Sequence, residues 1–456
     1  MKHSGYDSWP GFPEDSSAPT ADQPGRVGTR VWLWLDTYAR ATVPVLFSLF
    51  LASALLNMLV GVFQGYRPNP HALDWDEIEY WSMSDQMLAG HWDFGARRTI
   101  AYPLVIAALR LINNDFKFVQ VGLSVISALS APLLYSVVRR LSGSPGLGLL
   151  AGILLAVWPA QLFLASSMYS ESVALPCFLL FLLALPPGSR SGRSDWPAWR
   201  GGAIIAGLAL GLCAQIRPMY LLFLPFALVI PFLEERSSRI AARTALLVGL
   251  GFAVVVAPWS WWTSSRNGQF IILTANGGET LAGGLNPRLI ATPDIEVHLR
   301  NRDTWVGPGK WLPPQDTGYL SPAEMALPYT EMSHLLKQRS LAWIATHPGD
   351  ALRTELCKLA YMWGFYPWPS DDPARLLAGN ITILTLLGVT LAAGVRNPRH
   401  WLGLARLWTV PLFTTAVALV SWGSWRFRQP ADAALLALCV IAVGTRMRLD
   451  RVEVDH

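Results

Sequence analysis

The chain has 456 residues, 36 Lys and Arg against 31 Asp and Glu for a net charge of +5, and a hydrophobic content of 52%. Only 15% of its residues are charged, where roughly 25% is usual for soluble proteins. That deficit excludes a disordered chain or a string of ordinary soluble domains, and points to one all-α polytopic membrane protein. The sequence pI near 9.1 fits either a nucleic-acid partner or basic residues beside membrane spans, so the placement of the charges decides.

Residues 1–40 begin with a stretch rich in Ser, Pro, Gly and Asp, read as a disordered cytoplasmic tail. Ten apolar runs follow, at 42–63, 117–138, 146–165, 172–186, 201–216, 219–233, 244–262, 375–394, 404–421 and 430–445. A bilayer core of about 30 Å takes about 20 apolar residues as helix, so these are the candidate spans. The shorter apolar stretch 99–112 suits a helix lying at the interface. The expected division is a transmembrane core over 41–263, with a first outer loop at 64–116. An extracytoplasmic segment follows over 264–374, then the last spans over 375–445 and a tail over 446–456. Cys177, Cys213, Cys357 and Cys439 form no CxxC pair and read as packing residues.

Basic residues mark every second connection: Arg30 and Arg40, Arg139 and Arg140, Arg190 and Arg193, Arg236 and Arg239, Arg396 and Arg399, Arg446 and Arg448. The positive-inside rule makes that face cytoplasmic and puts both termini inside. The +5 is then a topological asymmetry, and the nucleic-acid reading falls away.

The first outer loop carries the strongest chemical signal. DWDEIEYWSMSDQMLAG, residues 74–90, holds Asp74, Asp76, Glu77 and Glu79. On a helix Asp76 and Tyr80 share a face. Arg97, Arg98, Tyr102 and Pro103 follow. A carboxylate at a membrane surface can deprotonate a hydroxyl, and an arginine can bind phosphate. A solvated acidic loop with interfacial arginines accounts for the same residues. Trp259, Trp261 and Trp262 read as an interfacial aromatic belt.

These motifs resemble the GT-C membrane glycosyltransferases, specifically the protein O-mannosyltransferase and lipid A aminoarabinose transferase group. Asp76, Glu77 and Tyr80 match that group's Asp-Glu pair and Tyr in the first outer loop. Glu171 in MYSESVALP resembles its second acidic position, and Arg217-Pro218 its Arg-Pro step. Pro258, Trp259, Arg266, Asn267, Asn276, Gly277, Gly278 and Asn286 resemble its long motif after a span. Arg426 and Arg428 in WRFRQPADA resemble its basic-aromatic-Pro motif. Where the aminoarabinose transferase uses a lysine near its lipid phosphate no lysine stands here, which leaves Arg97 or Arg98 to serve. The segment 264–374 has no room for the luminal β-trefoil of the protein mannosyltransferases, so the compact bacterial members are the better likeness.

The resemblance implies a GT-C fold of about 10 spans, with interfacial helices in the first outer loop and a small mixed outer segment. It also implies a polyprenyl-phosphate-sugar donor, an inverting displacement on the outer face of a bacterial cytoplasmic membrane, and a lipid, protein or polysaccharide acceptor. Asp76 is then the general base, with Glu77 and Glu171 as further catalytic acids. Tyr80, Arg97, Arg98, Tyr102, Arg217, Arg266, Asn267, Arg426 and Arg428 are the candidate phosphate and substrate ligands. A role for Glu171 in orienting the acceptor or a metal is favoured over a salt bridge. Oxygens of Asp76 and Glu171 can hold a divalent cation, and the sequence commits neither to one nor to any other cofactor. A lipid-linked sugar transporter or flippase would want ionisable residues in mid-span and pseudo-symmetric halves. An envelope polysaccharide polymerase or ligase is the other alternative.

Overall fold

A computed structural model describes residues 42–63, 75–189, 201–291, 295–299, 302–306, 309–364 and 373–454. The expected N-terminal tail, the start of the first outer loop at 64–74 and the basic connection at 190–200 lie outside the described residues.

Every apolar run read from the sequence is helical. The first is α1 (Thr42–Phe63). The first outer loop contributes α2 (Trp75–Leu88) and α3 (Ala101–Ile112). Then come α4 (Phe116–Ala128), α5 (Ser130–Ser142), α6 (Pro145–Ala156), α7 (Pro159–Ala165) and α8 (Glu171–Ala184). Next are α9 (Gly202–Ile216), a 3₁₀ turn over Pro218–Phe223, α10 (Leu224–Glu234) and α11 (Ser238–Asn267). The segment after α11 holds α12 (Gly277–Gly284), α13 (Pro287–Ala291), α14 (Tyr329–Thr346) and α15 (Pro348–Trp363). It also holds one antiparallel hairpin, β1 (Ile295–Leu299) and β2 (Arg302–Val306), in which Ile295 pairs with Val306 and Leu299 with Arg302. The chain closes with α16 (Pro373–Arg396), α17 (Pro398–Leu402), α18 (Ala405–Val420), a 3₁₀ turn over Trp425–Arg428 and α19 (Gln429–Val454).

Among the described residues, four stretches are long and apolar enough to cross a membrane: Thr42–Phe63, Phe116–Ser142, Ser238–Asn267 and Trp425–Gly444. The pair α6 and α7 makes a fifth if counted as one span bent by 58°. The bend has a chemical cause. Pro159 opens α7 and has no N–H to continue the ladder of α6. The other apolar runs, with α16 counted from Ile381, form helical stretches of 10–17 residues, too short to be counted as spans by length alone.

Position in the bundle follows from what each helix shows to its surroundings. In α19, 83% of the apolar window is buried, against 33% for α1 and for α11. The last helix is therefore the central post, and α1 and α11 are peripheral. Their exposed faces carry Phe47, Leu55 and Leu59, and Leu246, Leu250 and Val254. Such continuous apolar surface is what a hydrocarbon environment accommodates. Helices α9 and α11 meet backbone to backbone: a Cβ on Gly207 would lie 2.1 Å from the Val248 carbonyl oxygen. Small residues let spans approach this closely.

The aromatic belt needs one correction. Trp261 is 73% exposed, as a lipid-interface residue should be, but Trp259 is 5% exposed and donates its Nε1–H to the Leu273 carbonyl at 2.7 Å. Trp259 pins the chain that leaves α11 rather than facing lipid.

At the end of α8 opposite Glu171, Arg406 is buried against Glu234, with Nη2 2.5 Å from Oε2. Arg406 also donates to the carbonyls of Leu182, Leu185 and Pro186, at 3.1, 2.7 and 2.7 Å. An arginine there satisfies carbonyls that the helix itself leaves unpaired.

Candidate active site

The site is built on α2. Asp76 and Glu77 sit in its first turn, where negative charge is favoured by the helix dipole. Adjacent helix positions point about 100° apart, so the two acids serve different faces. Asp76 shares its face with Glu79 and Tyr80. Glu77 is fully buried and accepts the Met168 N–H at 2.9 Å. Tyr102 of α3, also fully buried, donates its hydroxyl to the Met168 carbonyl at 2.7 Å. Glu77 and Tyr102 thus grip both sides of one residue, and with it the turn that leads to Glu171 at the start of α8.

Four acids and four arginines then alternate along a continuous chain of ion pairs. It begins in the outer segment at Glu279, which takes Arg97 in a two-point contact, Nη2–Oε1 at 2.7 Å and Nε–Oε2 at 3.1 Å. Arg97 pairs in turn with Glu79. Glu79 accepts Arg98 Nε at 2.6 Å, and Arg98 Nη2 reaches Asp76 Oδ1 at 2.7 Å. The other Asp76 oxygen faces Arg426 Nη2 at 3.4 Å. Arg426 Nε donates to Glu171 Oε1 at 2.8 Å, and Glu171 closes the chain on Arg217. Glu171 and Glu279 are 2% and 6% exposed, against 33% for Asp76 and 35% for Arg97, so the chain is buried at both ends and open in its middle.

Aromatic rings line it. The Arg426 guanidinium lies 3.6 Å from the centre of the Tyr169 ring, Arg98 lies 5.3 Å from that of Tyr80, and Arg217 lies 5.2 Å from that of Phe427. Burial acts to raise the Asp76 carboxyl, but Arg98 and then Arg426 outweigh it and hold the group well below the usual carboxylate range. Burial likewise works against the Arg98 cation, and the Asp76 charge more than restores it, so its pKa is raised.

Local geometry explains how distant segments meet here. Ser424 accepts the Arg426 N–H at 3.3 Å and starts the 3₁₀ turn that aims Arg426 at the acids. The Ala275 N–H donates to the Ala96 carbonyl at 2.7 Å, which lays the outer segment along the loop carrying Arg97 and Arg98. Tyr329 of α14 donates to Glu279 Oε2 at 2.5 Å.

Of the residues singled out in the sequence, Asp76, Tyr80, Arg97, Arg98, Glu171, Arg217 and Arg426 come together. The others do not. Glu77 and Tyr102 are buried behind the site. Arg266 is half-exposed, stands 3.3 Å from Asp93 and lies over Trp262. Asn267 donates to the Thr263 carbonyl at 2.8 Å and finishes α11. Arg428 turns away to Asp432 Oδ1 at 2.8 Å and the Met362 carbonyl at 2.6 Å. Glu171 is the second correction: orienting an acceptor or a metal is favoured over a salt bridge in the sequence, and the structure pairs it with two arginines. Asp76 and Glu171 meet through Arg426, and among the described residues no three Asp, Glu, His or Cys side chains gather as a metal set.

Sequence reasoning gave no role to Glu79, Glu279, Tyr169 or Tyr329. Glu79 had a signal, since it lies one turn from Asp76 on the same helix face. Glu279 is 182 residues from Arg97, with no spacing to betray the pair.

No curated protein sequence matches the chain. Solved structures align with it at low identity, three of them as follows. An archaeal oligosaccharyltransferase AglB from Archaeoglobus fulgidus, in complex with an inhibitory peptide and a dolichol-phosphate, aligns at 14% identity and TM-score 0.45, over 89% of this chain and 51% of that one. The apo form of the Archaeoglobus fulgidus oligosaccharyltransferase gives 13% and 0.48, over 89% and 51%. ArnT from Cupriavidus metallidurans bound to undecaprenyl phosphate gives 14% and 0.39, over 88% and 78%. The chain spans about half the length of the oligosaccharyltransferase chains. Residues 98–262, from Arg98 of the ion-pair chain into the last turns of α11, match the family model described as dolichyl-phosphate-mannose-protein mannosyltransferase, which bears out the resemblance to the GT-C glycosyltransferases.

Proposed function

We propose that this chain is an integral membrane glycosyltransferase that moves a sugar from a polyprenyl-phosphate donor to an acceptor hydroxyl on the extracytoplasmic face of a bacterial cytoplasmic membrane. The carrying observation is the convergence of Asp76 and Glu171 on Arg426, with Arg98 and Arg217 on their other sides. Cations so placed suit a departing phosphate, and Asp76 suits the base. The reaction is a single inverting displacement. The acceptor oxygen bonds to the anomeric carbon as the bond to the phosphate oxygen breaks, and the proton passes to Asp76. All ten apolar runs act as spans, with both termini cytoplasmic. The Glu171 end of α8 is the outer end, and the Arg406–Glu234 end, about 20 Å away along that helix, is the inner one.

The test is transfer from radiolabelled polyprenyl-phosphate sugars into membrane extract by purified protein. Asp76→Asn, folded as judged by its melting curve, should lose transfer by at least about 10²-fold. Full activity in that variant would overturn the base assignment. Absence of transfer by the parent protein from every donor tried would overturn the reading as a whole.

A further inference from the structure

Asp76 as it stands is a poor base, because each of its carboxylate oxygens already faces an arginine. Each of the two arginines is held at Nε by a second acid. Arg98 is anchored by Nε to Glu79 at 2.6 Å and lends only Nη2 to Asp76. Arg426 is anchored to Glu171 by Nε at 2.8 Å, with Nη2 shared between Glu171 Oε2 and Asp76 at 3.4 Å each, and its Nη1 reaches Asp76 at 3.4 Å. A guanidinium fixed at Nε can redirect its outer nitrogens by small side-chain rotations without leaving its anchor. Phosphate oxygens are strong acceptors for such nitrogens, and a phosphate in place of a carboxylate keeps both arginines paired.

We propose that the phosphate of the bound donor arms the base: it draws the outer nitrogens of Arg98 and Arg426 away from Asp76, so that Asp76 becomes able to take a proton only once donor is seated. Glu79 and Glu171 are the positioning residues that keep both arginines in place during the exchange. In the transfer step the acceptor oxygen forms its bond to the anomeric carbon, and its proton moves to Asp76. The carbon–oxygen bond to the phosphate breaks, with the electron pair leaving on the lipid phosphate that the arginines now hold. When that lipid departs, the arginines return and the proton on Asp76 is released to water. Donor therefore binds before acceptor is activated, and the empty site does not deprotonate hydroxyls. This rests on the glycosyltransferase reading above.

The experiment uses full-length protein in lipid nanodiscs, dicyclohexylcarbodiimide as a reagent for protonatable carboxyls, and mass spectrometry of the Asp76 peptide. Undecaprenyl phosphate, which carries no sugar and permits no transfer, is titrated in, with undecaprenol as a parallel series. Its binding is followed by native mass spectrometry. Labelling at Asp76 is expected to rise about tenfold as undecaprenyl phosphate binds, and to stay at its starting level with undecaprenol. Arg98→Gln is expected to label fast before any lipid is added; should that variant fail to fold, the titration of the parent protein decides alone. Bound undecaprenyl phosphate with unchanged or reduced labelling overturns this inference and leaves the reading of the site standing. An equal rise with undecaprenol overturns it also, because the phosphate is then not the agent. No binding of undecaprenyl phosphate overturns both.

Discussion

Glu171 and Arg426 are 255 residues apart in the chain and meet at 2.8 Å, Oε1 to Nε. The contact ties the first turn of α8 to the 3₁₀ turn that opens the central helix α19. Glu171 is also the partner of Arg217, so one carboxylate with 2% exposure holds two cations. Burying a carboxylate this deeply is costly unless it is paired, and two arginines supply the pairing.

Glu171→Gln keeps the shape and removes the charge. Arg217 and Arg426 then face an amide, and a broken buried pair costs about 3–5 kcal/mol. The variant is expected to melt at lower temperature in detergent and to lose transfer. Glu171→Asp, which restores charge one methylene shorter, should recover most of the stability and less of the activity. Unchanged melting in Glu171→Gln would show that the two arginines do not depend on it.

The Arg406–Glu234 pair at the other end of α8 allows a cleaner test of stability, because it lies far from the acids. Glu234→Gln strands a nearly fully buried guanidinium and should cost about 3–5 kcal/mol. Replacing both partners by apolar residues, Glu234→Leu with Arg406→Met, should recover a large part of that loss. The recovery is incomplete because the carbonyls of Leu182, Leu185 and Pro186 also lose their donor. Thermal melts of the two variants beside the parent protein decide it; equal losses in the single and double variants would count against a charge origin.

Lys310 of the outer segment gives a pH dependence with a definite sign. Its side chain lies 4.2 Å from the centre of the Tyr361 ring, and burial pushes its pKa down from 10.5 to about 8. Between these values the unfolded chain binds the extra proton, so stability should rise with pH from about 8 to about 10. Lys310→Met removes the group and should flatten that rise while raising the melting temperature at neutral pH. Melting curves across that range test it, and a rise that persists in Lys310→Met would assign the effect elsewhere.

Much of the helical architecture was legible because apolar runs fold as helices, though among the described residues only four stretches, or five with the bent pair, are long and apolar enough to cross a membrane. The run 42–63 is α1 to the residue. The acidic helix of the first outer loop was legible too, since four acids beside tryptophans at a membrane face need a reason. The partition between Asp76 and Glu77 was not. Neighbours on a helix differ only in direction, and the direction of Glu77 is set by Met168, a residue 91 positions away. Trp259 misled for the same reason: tryptophan suits both a lipid interface and a buried hydrogen bond, and the Leu273 carbonyl decides between them. Glu279 stood alone in a Gly-rich stretch, and only the fold brings it to Arg97.

Arg426 and Arg428 look alike in WRFRQP, yet they face opposite ways from one 3₁₀ turn, and their variants should separate. Arg428 joins Asp432 on α19 to the Met362 carbonyl at the end of α15, while Trp158 donates to the other Asp432 oxygen at 2.9 Å. That cluster fixes where the turn sits but offers nothing to a substrate. Lysine cannot reproduce the forked contacts of either arginine. Arg428→Lys is therefore expected to lower the melting temperature with KM for the donor little changed. Arg426→Lys keeps a cation beside Glu171, should melt no lower than Glu171→Gln, and should lose about 10²–10³-fold in kcat/KM. The comparison is made on the same donor and acceptor in one preparation. A large rise in donor KM for Arg428→Lys with unchanged melting would return Arg428 to the substrate site and move the boundary of the active site to Asp432.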